Sequence, residues 1–267
     1  MVKEISSIQN PTIKQLVLLQ EKSRERRKTG LFVIEGIREI GLALDAGFEI
    51  NQLFYCESII EASELAKLQH QLQSNVGQIS VTEEVYKKIA YRSGTEGIIA
   101  SAKAKEHLLE DLDLPENPLI LVAEAPEKPG NIGALLRTAD AAGVDAFILA
   151  NPKTDLYNPN IIRSSVGGVF TVIIATGTTQ EVIEYLKQKS INCYSAILQE
   201  AVSYETQDFT QPTALVVGTE ADGLSELWRK NSKQNIIIPM QGKLDSMNVS
   251  VAAALLVFEA RRQRGFN

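Results

Sequence analysis

IPMQGKLDSMNVSVAAALLVFEARRQR, Ile238 to Arg264, joins three kinds of chain in one run. It opens at the end of an apolar strand, passes through a polar loop and enters an almost uninterrupted apolar segment read as a helix. A small molecule held at such a junction meets loop backbone amides, a helix N-terminus and the side chains of Ser246 and Asn248. Helix capping accounts for one of those two residues and hardly for both.

The same strand-loop-helix unit recurs upstream. LILVAE (Leu119 to Glu124), AFILA, TVIIA, CYSAI, ALVVG and NIIIP read as strands. The helices between them are expected from Asn131, near Pro159 to Ser165, from Thr179 to Lys189 and from Leu224. Continuous apolar strands alternating with helices predict an α/β fold with a mostly parallel sheet covered on both faces.

Ahead of this domain lies a smaller α/β unit. Asn10-Pro11 predicts an N-cap and a first-turn proline, with Ile13, Leu16, Val17 and Leu19 at helical spacing and the basic run SRERRK as the helix end. LFVIEG then reads as a strand, IREIGLALDAG as a helix closed by Gly47, and QLFYC as a strand. A helix from Ile59 to Gln73, a strand from Gln78 to Val81, a helix from Glu83 to Ala90 and the strand GIIASA complete it. KAKEHLLEDLDLPENP, charged and carrying two prolines, supplies a linker at residues 106–117 between domains at 1–105 and 118–267.

Composition excludes several classes. Of the 267 residues, 44% are hydrophobic and 22% charged, as in an ordinary globular protein. No apolar run approaches a bilayer span and MVKEISSIQNP has no apolar signal core, so a cytoplasmic protein without a membrane partner is expected. Cys56 and Cys193 have no partner at metal-ligand spacing and read as small buried side chains, while His70 and His107 suit neither a metal site nor a catalytic triad. A net charge of −6 excludes a surface that is basic all over. From Met1 to Gly30, however, seven basic residues face three acidic ones, a local excess of four that suits a polyanionic partner.

Three loops of the second domain each follow an apolar strand, and in an open parallel sheet ligands gather beyond the carboxyl ends of strands. In EAPEKPGNIGALLRTADAAG, Gly130 and Gly133 let backbone approach a ligand, Asn131 is placed to cap the helix, and Arg137 follows. In ALVVGTEADGLSE, Gly218 and Gly223 bound a turn that carries Glu220. The third is the stretch quoted first. Neither GK[ST] nor GxGxxG is present, which disfavours a nucleotide-dependent α/β enzyme.

GNIGALLRTADAAG, GTEADGLSE and IPMQGKLDSMNVSVAAALLVFE resemble, in that order, the three motifs of the SpoU (TrmH-type) RNA 2′-O-ribose methyltransferases of the SPOUT superfamily. NPNIIRSSVGGVF is similar to the family's intervening segment, and LFVIEGIREIGLALDAG with TEGIIA resembles the small RNA substrate-binding domain that many members carry in front. The resemblance implies a C-terminal segment threaded into a deep trefoil knot, S-adenosyl-L-methionine as cofactor, and a homodimer whose site is completed across the interface. Structured RNA is the implied partner, ribosomal RNA favoured and transfer RNA second. A noncatalytic RNA-binding protein of the same fold is the alternative.

Carried over by motif position, the resemblance makes Gly218 and Thr219 line the cofactor pocket, and Ile238 and Met247 give backbone contacts to the adenine. Arg137 matches the family's catalytic arginine. Asn131 and Glu220 would orient it and the ribose, while Ser246 and Asn248 would position the ribose and the cofactor loop. Arg24, Arg26, Arg27 and Lys28 are expected to grip RNA. Arg163, with Ser165 and Gly167, is expected at an RNA phosphate, with a structural role in the dimer helix as the alternative. Met247 stands where leucine is common in the family, and EADG replaces the frequent EGxG. Both departures keep backbone contacts available.

Overall fold

The structure, a computed structural model, describes residues 3–91, 96–218, 223–243 and 246–266. The chain divides into two compact units, Met1–Glu106 with Asp155–Arg163, and His107–Thr154 with Ser164–Asn267.

Unit 1 runs β1 (Lys3–Ile5), α1 (Pro11–Glu21), α2 (Ser23–Thr29), β2 (Leu31–Glu35), α3 (Ile37–Asp45), β3 (Ile50–Tyr55), α4 (Ala62–Gln71), β4 (Gly77–Val81), α5 (Glu83–Ile89) and β5 (Ile98–Lys103). Its sheet has the order β1-β4-β3-β5-β2. β1, β4 and β3 are parallel, and β5 is antiparallel to both β3 and β2. On one face Ile13, Leu16 and Leu19 of α1 and Val85, Tyr86 and Ile89 of α5 pack on Phe54, Ile79 and Ile99. Elsewhere in the unit Tyr157 stacks on Phe32 with ring centroids 4.2 Å apart and meets Phe48 edge-on.

The Asn10 carboxamide accepts from the Thr12 amide at 2.9 Å and starts α1 as expected, with Pro11 opening the helix. SRERRK departs from expectation. Lys22 is extended and ends α1, and the basic run forms its own helix, closed by Gly30 at φ +65°. Arg26 explains the break. Its Nη1 turns back to donate to the carbonyls of Leu19 (2.6 Å) and Gln20 (3.1 Å), which belong to the last turn of α1 and have no helical partner.

Unit 2 runs β6 (Leu119–Glu124), α6 (Pro129–Ala142), β7 (Ala146–Ala150), α7 (Pro159–Ser165), α8 (Gly168–Thr171), β8 (Ile174–Gly177), α9 (Thr179–Gln188), β9 (Asn192–Ala196), β10 (Val202–Ser203), β11 (Thr213–Val217), α10 (Glu226–Asn231), β12 (Gln234–Ile237) and α11 (Val249–Arg264); the first residues of α7 group with unit 1. The sheet order is β10-β12-β9-β11-β6-β7-β8 with every pair parallel. Thr171 lies in the short helix α8 rather than at the start of the TVIIA strand, because Gly167 at φ +87° lets a new helical turn begin.

Strands buried on both faces need a helix layer on each side. Val182, Ile183 and Leu186 of α9 and Trp228 of α10 pack on Ile120, Val122, Ile148, Ala214 and Val216. α6 and α11 pack against each other, α6 on β7 and α11 on β11 and β6. Each fully buried Leu, Ile or Val contributes about 1.5–3 kcal/mol, so this two-sided core is what holds the strand ends in register. Residues 107–117 also belong to unit 2: the His107 carbonyl accepts from the Thr176 amide at 2.7 Å, and Leu109, Leu112 and Leu114 join its core. At the far end of α11, the Arg264 guanidinium donates to the carbonyls of Phe209, Asn117, Pro118 and Gln211, tying the helix to segments that lead into β6 and β11.

Candidate active site

Because all strands of unit 2 run in one direction, Glu124, Ala150, Gly177, Val217 and Ile237 end on one rim of the sheet. The loops singled out in the sequence leave from that rim. α6 starts earlier than expected, at Pro129, whose fixed φ suits a first helical position. Asn131 therefore stands in the first turn, and the cap position is Lys128, with no side-chain capping bond.

Freed from capping, the Asn131 carboxamide oxygen accepts from Nδ2 of Asn248 at 3.2 Å. Asn248 itself caps α11, accepting at Oδ1 from the Ser250 amide (2.9 Å) and hydroxyl (2.6 Å). The first and third loops thus meet side chain to side chain, and Asn248 caps α11 while also reaching Asn131, a contact the sequence reading did not include. Ser246 is exposed, and Met247 and Ile238 are half-buried, Ile238 directly after β12.

Two glycines are required by close approach. A Cβ at Gly133 would collide with Ser164 and lie 2.7 Å from the Ser165 amide, so α6 sits against the end of α7 only because the position is bare. A Cβ at Gly218 would lie 2.5 Å from the carbonyl carbon and oxygen of Gly223, which itself has φ +65°. The second loop is pinched shut at its base by backbone on backbone. Thr219 and Glu220, expected at this loop, lie outside the described residues.

Arg137 is exposed on α6. Helical geometry sets it about 120° around the axis from Asn131 and about 9 Å along it, so the two side chains leave different faces. Arg163 is exposed, donates to Asn160 Oδ1 at 2.8 Å and holds its guanidinium 5.5 Å from the Tyr91 ring centroid, at an exposed tyrosine. Ser165 is buried and accepts from the Val169 amide at 3.4 Å, a structural bond.

Of the basic run, Arg24, Arg27 and Lys28 are exposed. Arg26 is not available to RNA: it is 5% exposed, and its Nε donates to the Asp155 carboxylate. That is a correction to the expected RNA-contacting set. The signal was confined to partners remote in sequence. Both cysteines are buried, and burial pushes the Cys193 thiol up to about 12, which leaves it inert at neutral pH. Among the described residues no cluster of His, Cys, Asp or Glu could hold a metal ion, and no helix is long and apolar enough to cross a membrane.

One rim residue escaped the sequence reading. Glu124 closes the apolar run LILVAE, is buried, and accepts from Thr179 and Ser225. An acidic residue at the end of such a run was the available signal.

Residues 118–258, which hold the rim, its loops and α11 as far as Phe258, match the model of the SpoU rRNA Methylase family. The chain belongs to that family. Residues 10–100 of this SpoU protein match the MRM3-like substrate binding domain. It is 27% identical to a 23S rRNA (guanosine(2553)-2′-O)-methyltransferase of Bacillus subtilis, over 97% of this chain and 100% of the relative. A crystal structure of an RNA 2′-O ribose methyltransferase shares 39% identity with a TM-score of 0.83, covering 98% of this chain and 99% of that one. The AdoMet-bound rRNA methyltransferase from Sinorhizobium meliloti shares 28% identity with a TM-score of 0.90, covering 98% of each chain.

Proposed function

We propose that this SpoU protein methylates a ribose 2′-hydroxyl of structured RNA, ribosomal RNA in particular, using S-adenosyl-L-methionine. The observation that carries the reading is the Asn131-Asn248 bond, which brings the first and third family motifs together on the rim from which the second also leaves. The backbone-on-backbone approach of Gly218 and Gly223 supports the cofactor assignment, since it holds a glycine-bounded loop base just beyond a strand end, where ligands gather in a parallel sheet.

When bound, S-adenosylmethionine supplies an electrophilic methyl group. Backbone at Gly218, Ile238 and Met247 would hold it, with Thr219 assigned to the same pocket by its motif. A ribose hydroxyl has a high pKa and is a poor nucleophile unless its proton is drawn off and its developing charge is met. Arg137 is suited to that electrostatic role and to holding the adjacent phosphate. A guanidinium is a donor only, so the proton is not assigned to Arg137. Asn131, Asn248, Ser246 and Glu220 orient the ribose and the loops around it.

The reading includes a trefoil knot and a homodimer. Supporting the knot, the chain leaves β12, which is separated from β6 by β9 and β11, and returns to pack α11 on β11, β6 and α6. Supporting the dimer, α11 leaves Val251, Leu255 and Phe258 exposed by 51%, 42% and 38%, spaced to lie along one face of the helix. A site completed by a partner also suits an Arg137 that turns away from Asn131. Sedimentation yielding the monomer mass alone would remove the dimer.

Calorimetry tests the function directly: S-adenosylmethionine should bind, and absence of binding at millimolar ligand removes the methyltransferase reading. Mapping ribose methylation in cells with and without the protein should identify the nucleotide. For RNA grip, Arg24, Arg27 and Lys28 replaced by Gln should flatten the dependence of log affinity on log salt by roughly two to three units, at about 0.7–0.9 unit per lost phosphate contact. An unchanged slope would return α2 to the role of a solvated helix. Arg26→Met should leave the slope alone.

A further inference from the structure

The rim carries a buried polar network that the methyl-transfer reading does not use. Glu124, the last residue of β6, is 6% exposed, yet no cation pairs with it among the described residues. Its Oε1 accepts from the hydroxyls of Thr179 and Ser225, both at 2.7 Å, and its Oε2 accepts from the Ser225 amide, also at 2.7 Å. Thr179 in turn accepts at Oγ1 from Nδ2 of Asn151 at 2.9 Å. Asn151 follows β7, Thr179 opens α9 just past β8, and Ser225 is the N-cap of α10 after β11. One carboxylate therefore gathers the exits of β11, β6, β7 and β8, which are neighbours in the sheet.

One detail shows that local structure yields to this network, and strained backbone lies beside it. Ser225 makes no capping bond to α10, because its hydroxyl is turned to Glu124 instead. Ala125 and Asn151, each just beyond a strand of the network, take φ of +46° and +49°, a left-handed backbone that costs a non-glycine residue about 1 kcal/mol or more. A carboxylate buried among neutral donors is a costly way to fill a strand end, where an apolar side chain would stabilise the core with less desolvation. What the carboxylate supplies and an apolar group cannot is a fixed backbone position at Ser225. Ser225 lies two residues past Gly223, and Gly223 forms the pinch with Gly218.

We propose that Glu124 is a positioning residue that sets the base of the Gly218-Gly223 loop, and through it the pocket for S-adenosylmethionine. This rests on the methyltransferase reading. Glu124 acts through the Ser225 backbone and hydroxyl and touches neither cofactor nor RNA. Glu124→Gln keeps the shape and removes the charge. It also leaves one accepting oxygen where there were two, and its amide faces hydroxyls that can turn to accept, so the charge-assisted bonds are lost even where neutral ones replace them.

The test measures cofactor affinity, RNA affinity and unfolding on the full chain. Glu124→Gln should weaken calorimetric S-adenosylmethionine binding by about tenfold, as expected when buried bonds lose their charged acceptor. Its KM for the cofactor should rise more than its kcat falls, while RNA affinity stays at the wild-type value. Ser225→Ala, which removes one hydroxyl donor and keeps the backbone bond, should give a smaller loss of about threefold. Wild-type cofactor affinity in Glu124→Gln overturns the proposal, as does an equal loss of cofactor and RNA affinity, which marks general unfolding. Should Glu124→Gln fail to fold, Ser225→Ala decides: weaker cofactor binding in a folded chain supports the role and unchanged binding overturns it. Failure of the wild-type chain to bind S-adenosylmethionine would instead overturn the methyltransferase reading.

Discussion

Arg137→Ala should abolish methyl transfer to RNA and leave the affinity for S-adenosylmethionine close to the wild-type value. The expectation follows from where Arg137 stands. It is exposed on α6, a helix fixed at its start by Pro129, and by the Cβ-free approach of Gly133 to Ser164 and Ser165. No part of the pinch at Gly218 or of the Asn131-Asn248 bond depends on it. In the proposed role, its loss would cost charge stabilisation at the ribose oxygen rather than the shape of the pocket.

Removing one donor aimed at a developing oxyanion lowers turnover by about 10²–10³, and loss of the phosphate contact adds to that. Arg137→Lys should recover a part only, since an ammonium keeps the charge but not the planar fork. Single-turnover assays with radiolabelled cofactor measure both variants, and calorimetry checks that the pocket is intact. Undiminished turnover in Arg137→Ala would remove it from the reaction.

Asp155→Ala should destabilise unit 1 by about 3–5 kcal/mol, the usual cost of stranding one partner of a buried ion pair. Asp155 and Arg26 are 12% and 5% exposed, so the stranded guanidinium cannot reach water without moving. Arg26 would still hold the carbonyls of Leu19 and Gln20. Arg26→Met in the same background should recover part of the loss, because an apolar side chain of similar length needs no counterion, although the two carbonyls then lose their donor. Urea unfolding monitored by circular dichroism gives the comparison, and a midpoint for Asp155→Ala equal to wild type would show that the pair contributes nothing. The result also separates the two roles within one basic run. Arg26 should register in stability and not in RNA affinity, and Arg24, Arg27 and Lys28 the reverse.

Most elements of both units were legible in the sequence. LILVAE and ALVVG are continuous apolar runs bounded by polar turns, and Asn10-Pro11 carries its own start signal, so each is set by residues a few positions apart. Elements without such a signal were missed. β1 and β10 are three and two residues long, too short to show a period, and both are held by parallel partners far along the chain. The end of α1 was misread because SRERRK has good helix formers throughout; what ends the helix is Arg26 folding back on its carbonyls.

In the candidate site, the residue types and their loops came from the motifs, but the jobs of individual side chains did not. Asn131 reads equally well as a cap or as a partner, and only the proline-led start of α6 and the nearness of Asn248 decide for the second. Glu124 looked like the polar end of a strand.

The sequence by itself determined the alternation of strands and helices, the parallel sheet, the family and the three loops. The elements and loops depend on periodicity, capping and turn chemistry, which act between residues close along the chain, and the family on a resemblance of motifs. The tertiary structure alone decided which polar groups meet: Glu124 with Ser225, 101 residues apart, Asn131 with Asn248, 117 apart, and Arg26 with Asp155, 129 apart. A hydrogen bond needs its two atoms within about 3 Å and aligned, a condition that packed helices and paired strands impose and that no local pattern encodes.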